Sequence, residues 1–132
     1  MRADFSAIMP LMDWEHASDV ANDLKEILKR INMPHVDLKR VIAFRSYGSS
    51  SRARARIWSF PKIWQMALNK PAYYIIEVLS QHFDHLSKDD KTRVIIHELM
   101  HIPKNFSGAL VPHRGIHKRI DTKHVEQLFK LL

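Results

Sequence analysis

Within residues 94–115, VIIHELMHIPKNFSGALVPHRG, His97, Glu98 and His101 are the side chains of this sequence best placed to do chemistry together. His97 and His101 are four apart, so on a helix turning about 100° per residue the second imidazole returns to within about 40° of the first, one turn on. Glu98 lies to the side of that line. H-E-x-x-H in this form presents two imidazoles to a single zinc ion and sets beside it a carboxylate able to take a proton from a water that the metal activates. The neighbours Val94, Ile95, Ile96, Leu99, Met100 and Ile102 are all apolar, so the segment is expected to be a buried helix, where polar groups without partners are costly. A polar stripe kept in such surroundings reads as metal ligands, His97 and His101, with Glu98 as catalytic base.

A catalytic zinc ion needs a third protein ligand and an open fourth position. Pro103 disfavours helical geometry in the residue before it, so the helix should end at His101 or Ile102 with the second imidazole at its mouth. Residues 103–113 can then reverse the chain, Gly108 being free to take positive φ, and bring back a ligand. His113, directly after Pro112, is the first choice. His117, one helical turn on, is the second, as ligand or as a partner that orients one. Glu126, in the amphipathic C-terminal segment KHVEQLFKLL, is the third, on the pattern of gluzincins, in which a glutamate comes from a later helix. His16, His35, His82, His85 and His124 have no comparable spacing and read as surface residues.

The elements that must hold these residues follow from periodicity. Asp13 caps a helix in which Ala17, Val20, Ala21, Leu24, Ile27, Leu28 and Ile31 recur three and four apart, until Asn32 and Pro34 stop it. KRVIAFRS and RARARIWSF read as strands separated by the turn YGSSS. Arg52, Arg54 and Arg56 alternate with Ala53 and Ala55, which puts three guanidinium groups on one face. Such a face is a charge-protected edge or a contact for nucleic acid or substrate. Pro61 opens a short helical turn, PKIWQMAL. AYYIIEVLS is a third strand, and Ser87 caps the motif helix with Asp89 and Asp90 in its first turn. The expected class is α+β: an N-terminal helix, a small three-stranded sheet or a larger mixed or antiparallel one, the buried motif helix and a C-terminal helix.

Composition narrows the chemistry. The 132 residues, 45% hydrophobic and 27% charged, suit one domain over residues 1–132 with a single core. With no cysteine, a disulfide framework, a zinc ribbon and a thiol nucleophile are excluded, and a metal must be held by His, Asp or Glu. Asp4, Pro10 and Asp13 interrupt the N-terminal apolar residues, and no apolar run is long enough to span a bilayer. The expectation is a soluble cytoplasmic protein with no membrane partner. A net charge of +7 suits weak attraction to nucleic acid through a basic surface. Oligomeric state has no signal here.

The motif segment resembles that of a group of small archaeal and phage metallopeptidases related to the SprT-like zincins, in which H-E-L-x-H-I-P is followed by a glycine-containing loop and a P-H pair. The likeness extends upstream through ARIWSFPKIWQMAL, PAYYIIEVLS and FDHLSKDD. It implies a zincin-like fold with His97, His101 and His113 as zinc ligands and Glu98 as base. Two departures matter. The metzincin pattern requires glycine and histidine where this sequence has Lys104 and Ser107, which excludes that subgroup. The cysteine ribbon of many SprT-like proteins is absent, which removes a frequent nucleic-acid-binding accessory.

The function expected is a zinc-dependent endopeptidase acting on a protein or peptide, with Glu98 passing a proton from water to the leaving amine. A strand before the motif helix could take substrate as an added edge strand. Tyr47, Arg114 and His117 are candidates for stabilising the oxyanion. Two alternatives stay open: a basic nucleic-acid-associated protein with a structural or vestigial zinc site, and a zinc hydrolase acting on a bond other than a peptide.

Overall fold

Runs rich in β-branched and aromatic residues alternate with helix-periodic ones along the chain, and the computed structural model, which describes residues 12–114 and 119–132, arranges them as a mixed sheet with helices. In order they are β1 (Asp13–His16), α1 (Ser18–Arg30), a 3-10 turn (Leu38–Arg40), β2 (Val41–Tyr47), β3 (Ala55–Trp58), α2 (Lys62–Leu68), β4 (Tyr74–Leu79), α3 (Ser80–Phe83), α4 (Lys88–Leu99) and α5 (Thr122–Phe129). The sheet order is β1-β2-β4-β3, with β2 and β4 parallel and both edge strands antiparallel to their neighbours. β2 and β3, joined by the Gly/Ser turn, are therefore not paired with each other. β4 lies between them because its side chains, YIIEVL, are the ones that tolerate burial on both faces.

The sheet has four strands, one more than the smallest arrangement expected. The extra one is β1, and it corrects the reading of Asp13. Asp13 pairs with Tyr47 at the sheet edge instead of capping a helix. α1 begins at Ser18, with Ala17 at the capping position and its N–H bonded to Ala43 O at 3.0 Å. Pairing with β2 satisfies the backbone of residues 13–16 more fully than a helical first turn would, since a first turn leaves its N–H groups without intrahelical partners.

The apolar stripe of α1 is where periodicity put it. Val20, Leu24 and Ile27 pack with Ile95, Ile96 and Leu99 of α4 against Ala43, Tyr74, Ile76 and Val78 of the sheet, in one hydrophobic cluster. Arg45 ties the sheet to two helices through Asp19 at 2.7 Å and Asp84 at 3.0 Å. Ser87 caps α4 as expected, its Oγ accepting from Asp90 N at 3.1 Å, and the acidic residues of that first turn suit the helix dipole. Among the described residues no helix is long and apolar enough to cross a membrane.

Candidate metal centre

α4 carries His97 and Glu98 on its last full turn and ends at Leu99. Beyond it the chain tightens: His101 N–H reaches Glu98 O and Ile102 N–H reaches Leu99 O, each at 3.1 Å, before Pro103, which has no N–H to continue. His101 is then held from two directions. Its Nδ1 lies 2.6 Å from Val111 O, and Val111 N–H donates to His101 O at 2.7 Å. A carbonyl can only accept, so Nδ1 carries the proton and Nε2 is the nitrogen that could ligate a metal. His113 arrives opposite His97, with the two Nε2 atoms 3.1 Å apart. One ligand atom from each of His97, His101 and His113 lies within 4.8 Å of the other two.

These residues fit a metal ion. Nitrogens about 2.0–2.1 Å from zinc at tetrahedral angles stand about 3.3 Å apart, near the spacing of the His97–His113 pair. Burial, and then the neighbouring His101 and His113 rings, lower the His97 pKa to about 4, so its imidazole is neutral, the form that ligates. Glu98 is 6% exposed and lies 4.0 Å from His97 Nε2. Burial, with no compensating donor among the described residues, lifts its carboxyl to about 8. Beside it opens a cleft of about 550 Å³ between the start of β3, α4 and α5, to which Arg54, Ala55, His97, Glu98, Val125 and Glu126 contribute.

A family described as "Putative phage metallopeptidase" matches residues 12–132. The chain belongs to this phage metallopeptidase family. No curated protein and no solved structure matches it. Membership implies a metal ion, and the three imidazoles are a set that could hold one.

Of the three residues read as candidates for a third ligand in this member of the family, the structure brings His113 to the pair. Glu126 lines the same cleft, but its carboxylate receives Arg93 Nε at 2.9 Å and is not among the groups that converge. His117 lies outside the described residues. The arginines do not form one face. Arg56 donates to Glu77 across the β3–β4 pair at 2.8 Å, whereas Arg54 precedes the strand at a bend and lines the cleft with His97 and Glu98; Arg52 is exposed further upstream. Alternation fails because only Ala55–Trp58 are in the strand. Tyr47 donates to Glu15 on the sheet edge opposite β3, and Arg114 is exposed and bridged to Arg119. Of the remaining histidines His16 and His85 are exposed, while His35, His82 and His124 are partly buried.

Of the residues that deliver His113, Gly108 takes the positive φ expected of it, whereas Tyr74 and Gln65 carry no functional signal in the motif itself. Tyr74 hydroxyl donates to Ala109 O and accepts from Gly108 N–H, both at 2.8 Å. Gln65 Nε2, from α2, donates to Phe60 O at 2.8 Å and to Ser107 O at 2.7 Å. Gly108, at φ 93°, is required there: a Cβ would stand 2.3 Å from both Gln65 Nε2 and Phe60 O. The signal that could have found Tyr74 is a hydroxyl, which must find a partner, in a central strand that is apolar apart from Glu77. Gln65 stands out likewise in the otherwise apolar run IWQMAL.

Proposed function

We propose that the protein is a zinc-dependent endopeptidase of the H-E-x-x-H kind, zincin-like and related to the SprT-like proteins. The observation that carries this is the convergence of His97, His101 and His113 beside a buried carboxyl, Glu98, in a metallopeptidase family. Nε2 of His97 and of His101, with one ring nitrogen of His113, would hold the ion, and an all-imidazole set of three suits zinc. When bound, zinc polarises the scissile carbonyl and makes water acidic. Glu98 accepts the proton released as water adds to the carbonyl carbon, then returns it to the amine as the C–N bond breaks. Burial brings this carboxyl toward the range where it can both take and give a proton near neutral pH. β3, an edge strand beginning at the cleft, offers its outer backbone groups to an extended peptide.

Two measurements test it together. Elemental analysis of purified protein should find one zinc per chain. Glu98→Gln should retain that zinc while hydrolysis of an unfolded protein substrate falls by about 10² or more, because the amide is nearly isosteric and cannot act as base. Equal hydrolysis by the variant would sink the mechanism.

A further inference from the structure

Arg54 is the cleft residue whose chemistry the proposed mechanism does not use, and the other charged groups around it are engaged. Arg93 is held between Asp90 at 3.0 Å and Glu126 at 2.9 Å, and its guanidinium stacks on Phe129 at 4.1 Å. Asp121 caps α5 and bonds His124 Nδ1 at 2.6 Å. Arg54 makes no ion pair with a described residue, yet its backbone is anchored, since its carbonyl accepts from Leu79 N at 2.9 Å. The cleft is thus polarised among the described residues: carboxylates turned toward Arg93 and His124 on the α5 side, a cation without an ion pair on the β3 side.

We infer that Arg54 determines specificity by taking a carboxylate of the bound peptide. This rests on the peptidase reading above. A peptide added along the outer edge of β3 runs past the residue that precedes Ala55, and that residue stands in the same cleft as His97 and Glu98. A planar guanidinium binds a carboxylate through two parallel N–H···O bonds, which an ammonium cannot reproduce. An Asp or Glu side chain and a free C-terminus offer the same group. The acids across the cleft work against a second anion on their own side, so the preference belongs to substrate positions nearest β3.

The test uses four fluorescent peptides of one sequence, bearing Glu or Gln at one position and a free or amidated C-terminus. Their binding to the metal-free full chain is measured by anisotropy, and their kcat/KM with the zinc-loaded protein. The carboxylate form should be favoured over its amide by about five-fold, as expected for a partly exposed charged pair. That ratio should fall to about one in Arg54→Gln, be partly restored in Arg54→Lys and drop below one in Arg54→Glu. Loss of the preference on amidation identifies the C-terminus as its source, and persistence identifies the side chain. A wild-type ratio of one, a ratio unchanged in Arg54→Gln, or tighter binding of a lysine-bearing peptide overturns the assignment. If the binding ratio follows Arg54 while zinc-loaded protein cleaves none of the four or an unfolded protein, the peptidase reading fails and the carboxylate site stands.

Discussion

Glu77 and Glu98 are both closed off from solvent, at 0% and 6% exposure, and their surroundings are opposite. Glu77 Oε1 accepts from Arg56 Nε at 2.8 Å and Trp58 Nε1 at 2.7 Å, and Oε2 accepts from Arg56 at 3.2 Å. Burial is the largest influence on Glu77 and raises its pKa, but Arg56, Ser46 and Trp58 together outweigh it and hold the carboxyl below the usual range. Glu98 has no such donors among the described residues, and burial carries it up to about 8. A buried carboxylate that is fully bonded ties β3 to β4, whereas one with no donor among the described residues, beside three imidazoles, has the raised pKa that the proposed role as base would use.

The largest expected difference between the two is in stability. Glu77→Gln should destabilise the fold by about 2 kcal/mol, somewhat under the usual cost of breaking a buried pair because Arg56 keeps some access to water. Glu98→Gln should leave the fold as stable or make it more so near neutral pH, since it removes a carboxyl whose burial is unfavourable. Urea denaturation of both variants measures this, and equal losses would erase the distinction. The metal side comes next. His113→Ala should weaken zinc binding by at least about 10-fold, while Glu126→Ala, which removes a partner of Arg93, should leave zinc bound. Competition with a chelating dye reads both, and the reverse pattern would transfer the third ligand to Glu126. The smallest effect concerns pH. Because Glu77 titrates lower in the folded chain than in the unfolded one, the stability it contributes is fully present above the unfolded value of about 4.3 and is lost as pH falls through the folded value. Urea midpoints between about pH 6 and 3 should therefore fall less steeply in Glu77→Gln than in wild type; parallel slopes would mean that the bonds to Arg56 and Trp58 do not hold the carboxylate ionised.

Much of the local structure was legible from residue types. The Ser87 cap, the apolar stripe of α1 and the strands at β2 and β4 depend on neighbours a few residues away, and periodicity reports those directly. Asp13 was misread because a capping residue followed by a helical stripe looks the same whether or not a short edge strand comes between them. The arginine face failed for a related reason: alternation predicts a face only where the backbone is extended, and the bend at Arg54 sends that residue to the cleft while Arg56 turns to Glu77.

The sequence alone determined the pairing of His97 with His101 and the place of Glu98 beside them, because a spacing of four within one helix is set by the helix's own geometry. Only the tertiary structure brings His113, and not Glu126, to the pair. The return of the loop to α4 depends on Tyr74 reaching Ala109, on Gln65 reaching Ser107 and on Gly108 leaving them room, contacts between residues far apart in the chain. The same holds for the engagement of Glu126 by Arg93 from another helix. Such contacts are selected by the packing of whole elements, and the residue types near each histidine carry no record of them.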